Sequence, residues 1–181
     1  MKRIAGMTLT ALALGWLLGT AQGGDDKGTE VVLGDLKART PATWKVAKMK
    51  PLRKYAFTVP KASGDPEDAD LAVFEFPMGG GKAADNIKRW KGQFQAPEGK
   101  TIDDVTKVDT IKIGKVEATY VDIQGTYKDP FTANAKPMPN YRRLGVILTT
   151  DGGAAYITVT GPAKTIEQNK KDFDNWLKAF K

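Results

Sequence analysis

The segment Val116–Tyr127 constrains the fold most, because its apolar side chains alternate on two different phases. Its apolar residues are Val116, Ala118 and Tyr120 on one face of an extended chain and Val121 and Ile123 on the other. Two structures explain this pattern: a β-bulge near Tyr120, or a strand that is covered on both faces. We favour the covered strand, because the sequence predicts two helices that can pack on the two faces of a sheet.

Further strands are predicted where alternating or continuous apolar runs are bounded by turn residues. They are Tyr55–Val59, Leu71–Phe76, Asp104–Ile113, Tyr141–Thr149 and Ala154–Thr160, with Glu30–Leu33 as a possible short edge strand. Gly114-Lys115 and Asp151-Gly152-Gly153 predict tight hairpin turns between neighbouring strands. The sheet is therefore expected to be mostly antiparallel.

Two helices are predicted from apolar residues at helical spacing. The first covers about Lys82–Phe94, and the second follows Gly161-Pro162 and carries an apolar stripe that ends at Phe180. Thr165 and Gln168 have the spacing of a capping box at the start of the second helix. Hairpins combined with two amphipathic helices predict an α+β class, with one mostly antiparallel sheet of about six to seven strands and helices packed on it.

The chain divides into three parts by composition. Residues 1–23 predict a signal peptide, with the cations Lys2 and Arg3, an apolar run and small residues that favour cleavage after Gly23, or alternatively after Ala21. Residues 24–40 predict a flexible lead, and residues 41–181 predict a single α+β domain. Cleavage would leave no stable membrane anchor, so the sequence predicts a periplasmic or extracellular protein.

The sequence contains no His and no Cys, which removes the commonest catalytic and metal-binding chemistries. Ser-His-Asp and Cys-His catalysis, and zinc, copper or haem sites built on those side chains, are excluded. The acidic segment Asp65–Asp70 is predicted to form a solvated turn and not a calcium-binding loop. We therefore expect no catalytic residues, no metal and no cofactor. The alternative is a small-ligand-binding protein or a hydrolase that uses carboxylates and Lys in a cleft.

The formal charge of +7, which would fall to +5 with the loss of Lys2 and Arg3, comes from cations scattered among acids. Nucleic-acid binding favours clustered cations, so nucleic acid is not an expected partner.

Two segments carry the candidate binding residues. The first is a glycine-rich turn before a helix, which either exposes amides to an anion or partner or serves only as a flexible turn; its residues are Gly79, Gly80, Gly81 and Lys82. The second is the loop Lys128–Asn140 with the residues that follow it, namely Phe131, Met138, Tyr141, Arg142 and Arg143. Aromatic and Arg side chains are typical anchors of protein interfaces, although a plain connection with Tyr141 in the core remains an alternative.

Several short motifs resemble those of a group of uncharacterised bacterial exported proteins over about Trp44–Phe180. They are Val73-Phe74 before the glycine-rich turn, the run from Asn86 to Phe94, the run from Pro139 to Gly145, and the closing Phe173–Leu177. The order of elements is distantly similar to the Mog1/PsbP-like fold, which is an antiparallel sheet between helices. The resemblance implies an α/β/α sandwich and a binding or accessory module. Together with the missing catalytic constellations and the long loop with apolar side chains, it leads us to expect a non-enzymatic module of the cell envelope, monomeric and with a protein partner. It supplies no catalytic residues.

Overall fold

Ten strands and two helices follow one another along residues 27–181, which are the residues that the structure, a computed structural model, describes. They are β1 (Glu30–Leu33), β2 (Leu36–Arg39), β3 (Lys45–Val46), β4 (Tyr55–Val59), β5 (Ala69–Phe76), α1 (Ala83–Lys91), β6 (Phe94–Gln95), β7 (Thr106–Ile113), β8 (Val116–Tyr127), β9 (Met138–Thr150), β10 (Gly153–Pro162) and α2 (Ala163–Lys178). The predicted signal peptide, residues 1–23, lies outside the described residues. Neither described helix is long and apolar enough to span a membrane.

One eight-stranded antiparallel sheet forms the centre of the molecule. Its order is β3-β4-β5-β10-β9-β8-β6, and β7 also pairs with β8. Gly114 has a φ of 57° in the β7–β8 turn, a conformation that favours glycine at this hairpin position. The α+β class and the antiparallel sheet predicted from the sequence are confirmed. The sheet has more strands than the predicted six to seven because β3 and β6, with two residues each, are too short to produce an alternating pattern.

Both faces of the sheet are covered, as β8 predicts. Ala118 and Tyr120 point into a first core beneath α2, whereas Val121 and Ile123 point into a second core beneath α1. The sheet is therefore the middle layer of an α/β/α sandwich. The register shift of β8 lies between Gly125 and Tyr127 and not near Tyr120, so no bulge is needed to explain the two apolar phases.

Each core has its own tryptophans. In the first core, the rings of Trp44 and Trp176 meet edge to face with centroids 5.3 Å apart, and Phe173 packs against both. Both indole N–H groups are buried without an acceptor among the described residues. In the second core, Trp90 of α1 packs so closely on Gly145 of β9 that a Cβ at Gly145 would lie 2.4 Å from the Trp90 ring. Gly145 thus permits the helix to approach the sheet.

The flexible lead predicted over residues 24–40 is wrong for the described residues from Glu30 onwards. β1 and β2 form an antiparallel hairpin, and the side chains of Val31 and Leu33 are fully buried in the first core. Lys37 and Lys181 exchange two backbone hydrogen bonds of 3.0 and 3.2 Å, which join the hairpin to the end of the chain. The strand offered as an alternative at Glu30–Leu33 matches β1, whereas the polar composition concealed β2, whose apolar residues Leu36 and Ala38 have a period of two.

The ends of both helices differ from the prediction. α1 ends at Lys91, because the chain turns at Gly92 and places Phe94 in β6. The capping box predicted at Thr165 and Gln168 is wrong, since the side chain that caps α2 comes from another loop. The carboxylate of Asp65 accepts hydrogen bonds from the Thr165 backbone N at 2.9 Å and from its hydroxyl at 2.5 Å.

We expect Asp65→Ala to lower the free energy of unfolding by about 1 kcal/mol, because the first turn of α2 loses its acceptor. Asp65→Asn should recover most of the loss, since its amide oxygen still accepts a hydrogen bond. Asp172→Ala is the matched control, because Asp172 lies exposed on α2 itself, and this variant should be no less stable than the wild type. Urea denaturation followed by circular dichroism measures the three values, and equal stability of Asp65→Ala and the wild type would contradict the capping role.

Candidate functional site

The loop between β8 and β9 presents one large apolar side chain to solvent. Asp129 fixes the start of this loop by accepting hydrogen bonds from the Phe131 backbone N at 2.9 Å and the Thr132 hydroxyl at 2.7 Å. Partial burial opposes ionisation of Asp129, but these hydrogen bonds favour it, and the net effect is a lowered pKa. Phe131 itself is 92% exposed. The loop therefore holds an aromatic ring in water at a defined position.

Two of the predicted binding residues next to this loop belong to the core. Met138 packs against the second core. Tyr141 is buried there, stacks on Tyr127 with ring centroids 6.0 Å apart and donates a hydrogen bond to Glu67. Burial, together with the bond to Glu67, raises the pKa of Tyr141 above its usual value. The structural alternative given in the sequence analysis, with Tyr141 in the core, is confirmed.

The adjacent arginines of β9 point to opposite faces of the sheet. Arg142 lies on the α2 side, where it donates to both carboxylate oxygens of Asp122 at 2.8 and 2.6 Å and to Glu167 of α2. The hydrogen bonds to Asp122 are the main reason that the pKa of Arg142 is raised. A guanidinium that is paired with two carboxylates has little capacity to bind a partner, so we assign Arg142 a structural role.

Arg143 lies on the α1 side and is 7% exposed. Its partners are neutral: Nε donates to the Thr160 hydroxyl at 2.8 Å, and the two Nη atoms donate to Gln93 and Tyr127. The guanidinium also lies 5.1 Å from the centre of the Tyr127 ring. None of the ion pairs within residues 27–181 includes Arg143. Burial without a paired carboxylate lowers its pKa.

The glycine-rich turn lies at the other end of the sheet. We call this the glycine end, and the end where β8 passes into β9 the loop end. β5 and β10 pair from Phe76 to Asp70 between the two ends, and six residues of strand correspond to about 20 Å. The structure thus separates Gly79, Gly80, Gly81 and Lys82 from Phe131 and does not bring the predicted residues into one site.

Packing and backbone conformation explain why this turn contains glycines. A Cβ at Gly80 would lie 2.2 Å from the Tyr156 hydroxyl, so only glycine fits against that ring. Gly79 and Gly81 have φ values of 88° and 83°, in the region that favours glycine. Asn86 of α1 donates to the Gly80 carbonyl at 3.0 Å and holds the turn against the helix. These contacts favour a structural role over an anion site.

A second loop, which is not among the segments predicted to bind, reaches the loop end. Arg53 donates to both oxygens of Asp70 at 2.7 and 2.6 Å, and the charge of Lys50 contributes to the lowered pKa of Asp129. The segment from residue 47 to residue 54 thus reaches the loop end through Arg53, because Asp70 lies at that end of β5. It exposes Met49 by 51% and Leu52 by 76%. Apolar residues within a polar loop, the signal that selected Phe131, would also have found these two.

We call Phe131, Met49 and Leu52 the loop-end surface, since they are the large exposed apolar side chains of the two loops that reach this end of the sheet. Lys48, Lys50 and Lys128 are exposed in the same two loops. The side chains of Asp70 and Asp129 are engaged in the hydrogen bonds already described. Aromatic and Met side chains are among the residue types that protein interfaces favour.

The acidic side chains of residues 65–70 form hydrogen bonds and ion pairs that stabilise the fold. Asp65 caps α2, Glu67 accepts from Tyr141, Asp68 accepts from the Lys61 backbone N at 2.9 Å, and Asp70 pairs with Arg53. Within the part of the chain that the structure describes, no three Asp or Glu side chains are grouped so that they could hold a metal ion.

Comparison with known proteins gives similarity only at the level of fold. No protein-family model matches the chain, and no curated protein matches it. A Pseudomonas aeruginosa protein of unknown function, PA94, is 13% identical with a TM-score of 0.46 over 83% of this chain and 93% of that chain. Cyanobacterial PsbP from Synechocystis is 14% identical with a TM-score of 0.47 over 92% and 99%. A Bacteroides thetaiotaomicron protein is 12% identical with a TM-score of 0.43 over 86% and 48%.

PsbP is thus among the proteins whose structures this chain resembles, and the α/β/α sandwich itself is shown by the sheet and the two cores of the described residues. Similarity at this level says nothing about activity, substrate or partner.

The two arginines of β9 should differ in their effect on stability. Arg142→Met leaves the carboxylates of Asp122 and Glu167 without their cation and should lower the free energy of unfolding by about 2–3 kcal/mol. Arg143→Met leaves no carboxylate behind, and an apolar side chain suits the aromatic surroundings, so its cost should stay below about 1.5 kcal/mol. Guanidinium denaturation of both variants gives the two values, and a larger loss for Arg143→Met would refute the assignment.

Proposed function

We propose that this chain is a non-enzymatic binding or accessory module of the cell envelope that acts by contacting a protein partner. The observation that carries the proposal is Phe131, whose ring is 92% exposed although the loop around it is fixed by Asp129. Exposure of a large apolar side chain to water is unfavourable, by roughly 1.5–3 kcal/mol relative to burial. A partner that covers the ring would recover this free energy.

The rest of the loop-end surface suits a protein partner better than a small molecule. Met49 and Leu52 add exposed apolar area at the same end of the sheet, and interface anchors are typically aromatic residues and Met inside a polar margin. The surface consists of side chains on two loops and not of an enclosed cavity. Lys48, Lys50 and Lys128 make the margin basic. Hence we propose that the partner presents an apolar patch with acidic residues around it, which also speeds encounter.

Placement in the envelope is supported by the signal peptide predicted over residues 1–23. The periplasm or the extracellular space is the location that such a leader implies. The described domain is consistent with this location in one respect, since it is built without disulfides and does not depend on the redox state of its compartment.

A second function, the binding of a small ligand, is favoured by one observation. The groove beside α1 is lined by apolar side chains and lysines, and no carboxylate lies among its lining residues. A carboxylate-based hydrolase therefore has less support from the groove than a binding protein has.

Phe131→Ser should abolish capture of the partner, and Leu52→Ser should weaken it, because both remove apolar area from the loop-end surface. Met78→Ser is the matched control: Met78 is 100% exposed but lies at the glycine end. The measurement is quantitative co-purification from envelope extract of the native host after chemical crosslinking. Recovery of the partner with Phe131→Ser at the wild-type level, or loss of the partner with Met78→Ser alone, would show that the interface does not lie at the loop end.

Export predicts a shortened chain. Mass spectrometry of the protein recovered from the native host should show a mature N-terminus at Gly24, or at Gln22 if cleavage follows Ala21. Replacing the cations Lys2 and Arg3 by Glu should leave the full chain in the cytoplasm, because the leader loses its positive start. Recovery of wild-type chains that still begin with Met1 outside the cytoplasm would show that the leader is not cleaved.

A further inference from the structure

A groove of about 560 Å³ runs along the flank of α1, between the helix and the segment that connects β6 to β7. Its lining residues are Ala84, Ile87, Lys88, Lys91, Gly92, Phe94 and Ile102. The volume lies within the range of pockets that hold a small organic ligand. None of these lining residues belongs to the loop-end surface.

The outer wall of the groove is a tight turn that holds Ile102 in place. Thr101 donates to Asp104 from its backbone N at 2.7 Å and from its hydroxyl at 2.8 Å, and the Asp104 backbone N donates back to the Thr101 hydroxyl at 3.3 Å. The hydroxyl of Thr106 donates to the Ile102 carbonyl at 2.6 Å. Because the wall is fixed by these bonds, a ligand would not have to order it on binding.

The floor of the groove is part of the second core. Phe94 is 7% exposed and packs against Tyr127 with ring centroids 5.1 Å apart, while the Arg143 guanidinium lies 5.6 Å from the centre of the Phe94 ring. Ile87 packs against the same core and stays half-buried. The apolar strip from Ile87 through Phe94 to Ile102 is thus rigid and partly open to water.

The helix side of the groove carries two lysines, and the wall turn carries the carboxylates of Asp103 and Asp104. Lys91 pairs with Asp103 across the groove and joins the helix to the wall. Lys88 is exposed and forms no ion pair with any residue that the structure describes. The nearest acid on its own helix is Asp85, one turn earlier and also exposed. An apolar strip with a free ammonium group at its edge complements a molecule that has an apolar chain and one anionic head.

We propose that this groove binds a free single-chain carboxylate amphiphile, with its chain along Ile87, Phe94 and Ile102 and its head group at Lys88. One chain fits the volume, whereas a two-chain lipid would need a larger cavity. The carboxylate gains a charge-assisted contact with the ammonium group, and the chain covers apolar side chains that water now contacts. This site is independent of the protein partner at the loop-end surface.

Isothermal titration calorimetry with dodecanoate below its micelle concentration, at pH 8, tests the site. Ile102→Asn should weaken binding about tenfold or more, because it removes apolar contact area. Lys88→Ala should weaken it roughly fivefold, as expected for one partly exposed charge pair. Dodecyltrimethylammonium has a chain of the same length and a cationic head, and it should bind wild type more weakly and Lys88→Glu more tightly.

Two matched controls separate the groove from general adsorption. Val46→Asn removes an exposed apolar side chain on β3, at the opposite edge of the sheet, and Lys115→Ala removes an exposed cation in the β7–β8 turn. Both should bind dodecanoate like the wild type. Thermal denaturation of Ile102→Asn shows whether it is folded, and Lys88→Ala tests the site independently because Lys88 lies on the surface.

The proposal is overturned if wild type does not bind dodecanoate, if the two amphiphiles bind equally well, or if Val46→Asn loses as much affinity as Ile102→Asn. Binding to phosphatidylglycerol vesicles without binding to free dodecanoate would overturn it too, since it would indicate a membrane surface as the ligand. Loss of dodecanoate binding in a protein that still captures its partner through Phe131 would leave the proposed function intact.

Discussion

The central strand β9 is buried on both faces, and the rest of the fold depends on this. Six consecutive residues, Arg143–Leu148, are buried. A strand of this kind cannot lie at an edge or on a sheet with one face in water. It therefore requires β8 and β10 as neighbours and a cover on each side. α2 with the β1–β2 hairpin provides one cover, and α1 provides the other.

The two covers are unequal, and this inequality creates the candidate sites. α2 has 16 residues and a mostly apolar buried face, and the core beneath it holds the larger cluster of side chains. α1 has only 9 residues. It leaves the loop end of its face to two irregular loops and leaves a groove along its flank. Both proposed binding surfaces lie on the face with the shorter helix, where packing alone does not fill the available space.

The strands and the layer arrangement were predictable because they depend on local periodicity. β8 matches its predicted limits, and its two apolar phases correctly indicated a sheet covered on both sides. The same periodicity implies that the side chains of Arg142 and Arg143 lie on opposite faces of the sheet. The prediction that both belong to one binding site did not take this into account.

The features that sequence could not supply depend on residues that are distant along the chain. Asp65 caps a helix that begins about a hundred residues later, and nothing in its neighbours indicates so. The close approach of Gly80 to Tyr156 likewise depends on two distant segments. Such contacts form only when the layers of the fold assemble. A local sequence pattern therefore cannot show whether a glycine or a carboxylate is needed for packing or is available to a ligand.

The distribution of tryptophan gives each side of the sheet its own optical reporter. Trp90 belongs to the core beneath α1, whereas Trp44 and Trp176 lie beneath α2. Among the described residues these are all the indoles, so a Trp90→Phe protein that also lacks Trp16 would emit from one layer only. Fluorescence lifetimes of the two forms would then reveal whether the layers melt together or in sequence, and hence whether α1 can detach from the sheet while the larger core remains intact.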